Sequence, residues 1–86
     1  MIFERNKEIY CIFEVLRILV KKKSKYSFMF KQTRVSHTTL QSVLRDLVLK
    51  GFVKKQDIGH MNVDYEITEK GKRLLSLLTE MKNLVK

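Results

Sequence analysis

The sequence predicts an α+β domain made of three helices, a two-stranded β-hairpin and a C-terminal helix. Three observations predict it. Val35 to Gly51, VSHTTLQSVLRDLVLKG, reads as one amphipathic helix with a start signal, an apolar stripe and a stop. An alternating strand pattern follows it around an isolated glycine. Apolar stripes of helical period lie at both ends of the chain.

Size and composition bound the rest. Eighty-six residues, 44% of them hydrophobic, support one domain with one modest core. Lys and Arg number 18 against 9 Asp and Glu, a net charge of +9 and a pI near 9.9. So large an excess on so small a body favours a polyanionic partner over a surface merely kept soluble by charge. No apolar run approaches the ~20 residues needed to span a bilayer. The opening MIFERNKEIY lacks the basic-then-apolar order of a secretory signal, so a cytoplasmic location is expected. One cysteine, Cys11, excludes an intramolecular disulfide framework. There is no Pro and there are only three Gly, so flexible linkers are not expected.

The first helix is expected over about residues 4–22. Ile9, Ile12, Phe13, Leu16, Leu19 and Val20 form its main stripe. Cys11, Val15 and Ile18 form a second stripe beside it, which a helix with one buried face does not need. Either this helix is central and covered on several sides, or the second stripe meets another subunit. Lys21, Lys22 and Lys23 suit its C-terminus, where the macrodipole favours cations; a phosphate contact is the alternative role.

A second helix is expected over about 26–32, although Phe28, Met29 and Phe30 are adjacent and cannot share one face. A short turn through Thr33 and Arg34 leads to the helix at 36–50. Ser36 is its N-cap. Leu40, Val43, Leu44 and Leu47 are its buried stripe. Gly51 supplies the left-handed residue beyond it. Two helices joined by so short a turn make a helix-turn-helix whose second helix is the reader.

Residues 52–67 are expected to be the hairpin, with a turn through Asp57 to Asn62 in which Gly59 takes positive φ. Placed directly after a reading helix, this hairpin is a wing. Thr68 caps a last helix running over 68–85. Its stripe of Leu74, Leu77, Leu78, Met81, Leu84 and Val85 exceeds what a small core requires. With the second stripe of the first helix it favours a two-fold dimer through Cys11, Val15, Ile18, Leu78, Met81, Leu84 and Val85. Packing of the first and last helices within one chain is the simpler alternative. A Cys11 near the two-fold axis also raises an intersubunit disulfide, which intracellular proteins seldom carry.

The face opposite the buried stripe of helix 36–50 carries His37, Thr38, Gln41, Ser42 and Arg45. An α-helix fits the major groove of B-DNA and reaches base edges from its first turns. Arg45 can bond guanine O6 and N7, Gln41 can bond adenine, and Thr38 can meet a thymine methyl. Ser36, His37 and Ser42 can bond phosphate or base. Lys31 and Arg34 flank the helix start, and the wing offers Lys54, Lys55, His60 and Asn62 for phosphate or minor groove. Asp57 and Asp64 make that wing less than uniformly positive. The plainer reading of the helix is a solvated polar face; the basic charge and the wing favour DNA.

Catalysis has little support. His37 and His60 have no Cys or clustered carboxylate at ligand spacing, so no metal and no cofactor are expected. Cys11 lies in an apolar stretch, where cysteine is a small hydrophobe. The rival class is a module that binds a protein, but no aromatic or Met anchor stands on the polar face of the reading helix.

The segments Asp64 to Leu75, DYEITEKGKRLL, and Leu44 to Lys54, LRDLVLKGFVK, carry a resemblance. With the element order, they resemble the winged helix-turn-helix domains of small archaeal regulators and archaeal viruses. Asp64 to Leu75 is similar to their "Y-x-I-T-x-K-G" segment, which ends the wing and opens the last helix. Leu44 to Lys54 is similar to their "L-x-x-L-x-x-K-G" end of the recognition helix. Similar domains occur as MarR-like and PadR-like repressors and as small viral proteins. The resemblance implies a homodimeric transcription factor on double-stranded DNA, with recognition from Ser36 onward and backbone contact around His60. It supplies neither an operator nor an effector.

Overall fold

In a computed structural model of the protein, residues 6–57, 59 and 63–85 are described. Asn6 opens α1 (Lys7–Lys21) by accepting the Ile9 N–H at 3.0 Å. Then come β1 (Ser24–Lys25), α2 (Tyr26–Thr33), α3 (His37–Leu49), β2 (Val53–Asp57), β3 (Val63–Ile67) and α4 (Glu69–Leu84). The chain is therefore α+β, as its sequence predicts. The expected two-stranded hairpin is present as β2 and β3, and β1 adds a third strand to it, in the antiparallel order β1-β3-β2. Ser24 pairs with Tyr65 and Lys25 with Asp64. Two polar residues carry no alternation signal, and only the nearby edge of β3 makes them a strand.

Three helix faces and the inner side of the sheet meet in one core, and a fourth helix packs against it. Cys11, Val15, Leu16 and Leu19 of α1 pack with Met29 of α2, with Leu40, Val43, Leu44 and Leu47 of α3, and with Val53 and Ile67 of the sheet. Full burial of one such aliphatic side chain contributes about 2 kcal/mol, so the four on α3 fix which face it turns inward. The opposite face is thereby turned to solvent.

α1 is the central helix. It packs against α2, α3, α4 and β3. Its second stripe is thus explained by burial within the chain, and two expected interface residues are corrected. Cys11 and Val15 are wholly buried, with no surface to offer a second subunit. Burial, then the nearby Glu14, pushes the Cys11 thiol up to about 11, so it stays a neutral apolar side chain at physiological pH. Ile18 is half-buried, and Val20, expected in the main stripe, is largely outside the core.

α4 packs on α1 within the same chain, and Leu74, Leu75 and Leu78 lie against the core. Lys82 Nζ stands 4.9 Å over the Phe13 ring. The far end stays open: Leu77 is 53% exposed, Leu84 85% and Val85 38%. α3 ends as its glycine predicts, with Gly51 at φ +82 and the Phe52 N–H donating to the Leu47 carbonyl at 2.9 Å. Gly59 also takes positive φ, and its N–H donates to Asp57 Oδ1 at 3.0 Å.

Candidate nucleic-acid interface

The candidate interface is built on α3. Ser36 Oγ accepts the Thr39 N–H at 3.1 Å and donates to Thr39 Oγ1 at 3.0 Å, which fixes the helix start. A phosphate contact by Ser36 competes with this cap. Beyond it, His37, Thr38, Gln41, Ser42 and Arg45 are all exposed. Thr38, Gln41, Ser42 and Arg45 recur at i, i+3, i+4 and i+7, so they form one face. Leu49, 77% exposed, extends that face by one further turn.

Across from this face stands the sheet. Gln41, Arg45 and Leu49 line a cleft of about 500 Å³ with Tyr26 of α2 and with Lys55 and Tyr65, which are paired on β2 and β3. The cleft contains two cations and no carboxylate among its lining residues. Lys54 is directed to the other side of β2, opposite Glu66, because successive strand side chains alternate. Of the two wing lysines, Lys55 is therefore brought to the reading helix and Lys54 is not. His60 and Asn62 lie outside the described residues.

A second hollow, of about 310 Å³, opens at the N-terminus of α3. Arg34, Ser36 and Thr39 line it with Lys7 and Tyr10 of α1. Arg34 takes φ 56, a left-handed conformation uncommon for a non-glycine residue, and this places its side chain beside the helix start. Lys31 is exposed on α2 and lines neither hollow.

His37, the first residue of α3, is held from behind. Its ring stacks on Phe30 with centroids 3.7 Å apart and planes 11° from parallel. Tyr26 stacks on Phe30 in turn, 6.3 Å away. The Tyr26 hydroxyl is 2.9 Å from His37 Nδ1 and 3.5 Å from the His37 carbonyl oxygen. Burial, then Tyr65 and Cys11, push the Tyr26 phenol above its usual range, so it keeps its proton. The one phenolic proton is within reach of either acceptor; where it goes to Nδ1, the proton of the neutral imidazole is on Nε2.

Sequence reasoning missed Tyr26 and Phe30 as supports of the reader, and missed Lys7, Tyr10, Tyr65 and Leu49 beside it. The local signals were the i, i+4 spacing of Tyr26 and Phe30 and that of Arg45 and Leu49 on α3 itself. Lys7, Tyr10 and Tyr65 are joined to α3 by tertiary contact alone. Among the described residues, no group of three or more His, Cys, Asp or Glu is placed to hold a metal ion. No described helix is long and apolar enough to cross a membrane.

No curated protein matches the chain. Among solved structures it is similar to the crystal structure of smu.1704 from Streptococcus mutans UA159. The identity is 18%, over 93% of this chain and 81% of that one, with a TM-score of 0.83. At that identity the likeness shows the fold, a helix-turn-helix of α2 and α3 followed by a β2–β3 wing. The winged helix-turn-helix family matches residues 5–86, so the chain belongs to the winged helix-turn-helix family.

Proposed function

We propose that the protein is a sequence-specific regulator of transcription that binds double-stranded DNA as a homodimer. α3 lies in the major groove, the wing lies on the backbone or in the minor groove, and the expected effect is repression. The observation that carries this reading is the outer face of α3. Thr38, Gln41, Ser42 and Arg45 stand exposed on one side of a helix whose other side is locked in the core. The net charge of +9 supports a polyanionic partner. The two cations of the cleft, Arg45 and Lys55, suit base edge and phosphate respectively. Kinship with MarR-like and PadR-like regulators of archaea or their viruses, and a place in the cytoplasm, belong to the same proposal.

The second copy docks through the open end of α4, at Leu77, Leu84 and Val85 with the half-buried Leu78 and Met81. Two copies present two α3 helices about one turn of duplex apart.

A footprint on DNA flanking the protein's own gene tests the reading, and a two-fold protected site is the expected result. Replacing Gln41 and Arg45 with Ala should then lower discrimination between that site and a scrambled duplex by about tenfold or more. Equal losses on both duplexes would overturn base reading. The slope of log affinity against log salt should steepen by about −0.9 for each phosphate held. Sedimentation equilibrium should give a dimer that Leu84→Lys weakens, and a monomer at every concentration would overturn the homodimer.

A further inference from the structure

A third hollow is not accounted for by DNA reading. It is an open groove of about 640 Å³ between the C-terminal end of α1, β1 and α2. Asp64 lines this groove and its neighbour Tyr65 lines the reading cleft, and successive strand residues face opposite ways. The sheet therefore separates the groove from the DNA face. Its volume falls within the roughly 300–1,000 Å³ of small-molecule sites.

The chemistry of the lining is amphipathic. Ile18 and Phe28 supply apolar surface, and Phe28 is 50% exposed and outside the core cluster. Lys21, Lys22 and Lys23 stand around it. Of the two carboxylates in the lining, Glu14 is paired with Arg17 at 3.5 Å, which leaves Asp64, cross-strand from Lys25, as the one carboxylate beside Lys21, Lys22 and Lys23. A bare phosphate would satisfy the lysines and leave Phe28 in water. A neutral apolar molecule would cover Phe28 and leave the cationic rim without a counter-charge. A molecule with an apolar body and one anionic end satisfies both.

α2 connects the groove to the reader. Ser27, Phe28 and Gln32 face the groove, while Tyr26 and Phe30 of the same helix hold His37. We propose that the groove binds an amphipathic organic anion, with its apolar body on Phe28 and its charged end among Lys21, Lys22 and Lys23, and that the bound anion alters DNA binding through α2. The second half of this proposal rests on the DNA-binding reading.

The test is calorimetric titration of the intact protein with 1-naphthoate, in parallel with naphthalene-1-methanol and inorganic phosphate. Binding of 1-naphthoate at one site per chain is expected, with both controls weaker by about tenfold, the worth of one lost complementary contact. Phe28→Ala and the double substitution Lys22→Glu/Lys23→Glu should each weaken 1-naphthoate by a similar factor; both change exposed positions, and circular dichroism checks that each variant folds. No binding at millimolar 1-naphthoate, equal binding of phosphate, or indifference to both variants would overturn the site. With 1-naphthoate saturating, affinity for the footprinted duplex should shift by roughly fivefold or more, the lower range of allosteric coupling. An unchanged affinity, or the same shift in Phe28→Ala, would overturn the coupling. The two readings fail separately: a protein that binds 1-naphthoate and no duplex refutes DNA binding, and one that binds duplex and no 1-naphthoate refutes the groove.

Discussion

The chain turns into its last two helices in opposite ways, and a threonine marks each turn. At the start of α4, Thr68 is fully bonded. Its Oγ1 lies 2.7 Å from the Gly51 carbonyl oxygen and 3.0 Å from that of Phe52, within reach to donate to either, and it accepts the Gly71 N–H at 3.0 Å. Its own N–H donates to Phe52 O at 3.1 Å, and Lys70 Nζ donates to Lys50 O at 2.7 Å. At the turn into α3, Thr33 is fully buried and its Oγ1 has no hydrogen-bond partner. Arg34 follows in a left-handed conformation, and the helix start is then held by side chains, the Ser36 cap and the Phe30–His37 stack. The first junction is tied through backbone carbonyls, which have few alternative positions. The second is tied through side chains and tolerates a polar misfit beside the reading helix, where sequences commonly depart from local optima.

The largest expected effect tests how tight the α4 junction is. A Cβ at Gly71 would run into the carbonyl oxygen of Phe52 and come within 2.8 Å of Ile67 Cγ1. The obstacle is backbone and cannot rotate away. Gly71→Ala should lower stability by about 3 kcal/mol in urea unfolding, the upper range for overpacking. A loss well under 1 kcal/mol would show that the junction yields, and the contrast with α3 would fall.

Next, one substitution made at both junctions should give opposite signs. Thr68→Val removes an N-cap acceptor and a donor to the carbonyls of residues 51 and 52, and should cost about 2 kcal/mol. Thr33→Val replaces a buried hydroxyl that has no partner with a methyl of similar size, and should gain about 1 kcal/mol. Thermal or urea unfolding of the two variants reads both values. Losses of equal size would mean that the Thr33 hydroxyl is satisfied in solution.

The contrast also explains what was legible in the sequence. The α4 junction was legible because it uses local chemistry: Thr68 as a cap, Gly51 at positive φ, and the Val63-Tyr65-Ile67 alternation leading into it. The polar face of α3 was legible because the period of Leu40, Val43, Leu44 and Leu47 fixes the buried side and so the exposed one. The lead-in to α3 was not. Phe28, Met29 and Phe30 point to a groove, the core and the His37 ring in turn, and three neighbours in three environments leave no period to detect. β1 was missed because pairing with β3, and not propensity, makes it a strand. The second stripe of α1 was open to two readings because apolar spacing does not say whether the cover comes from the same chain or another. Cys11 and Val15 are covered by their own chain.

The smallest expected change in stability bears most directly on function. Tyr26→Phe keeps the aromatic ring that stacks on Phe30 and removes only the hydroxyl 2.9 Å from His37 Nδ1. The pair is exposed, so stability should fall by no more than about 0.5 kcal/mol. The imidazole should change more than the fold does. With the phenol donating to Nδ1, nitrogen-15 shifts of the neutral ring should show an unprotonated Nδ1 and a protonated Nε2; the variant should show a mixture of tautomers. If His37 presents that Nε2–H to an acceptor on DNA, the variant must select the tautomer on binding. Its affinity should then fall by about threefold, the equivalent of roughly 0.6 kcal/mol. A protonated Nδ1 in the unaltered protein would refute the tautomer assignment. A normal tautomer with unchanged DNA affinity would leave Tyr26 and Phe30 as packing for the helix start, and would move recognition further along α3 to Gln41 and Arg45.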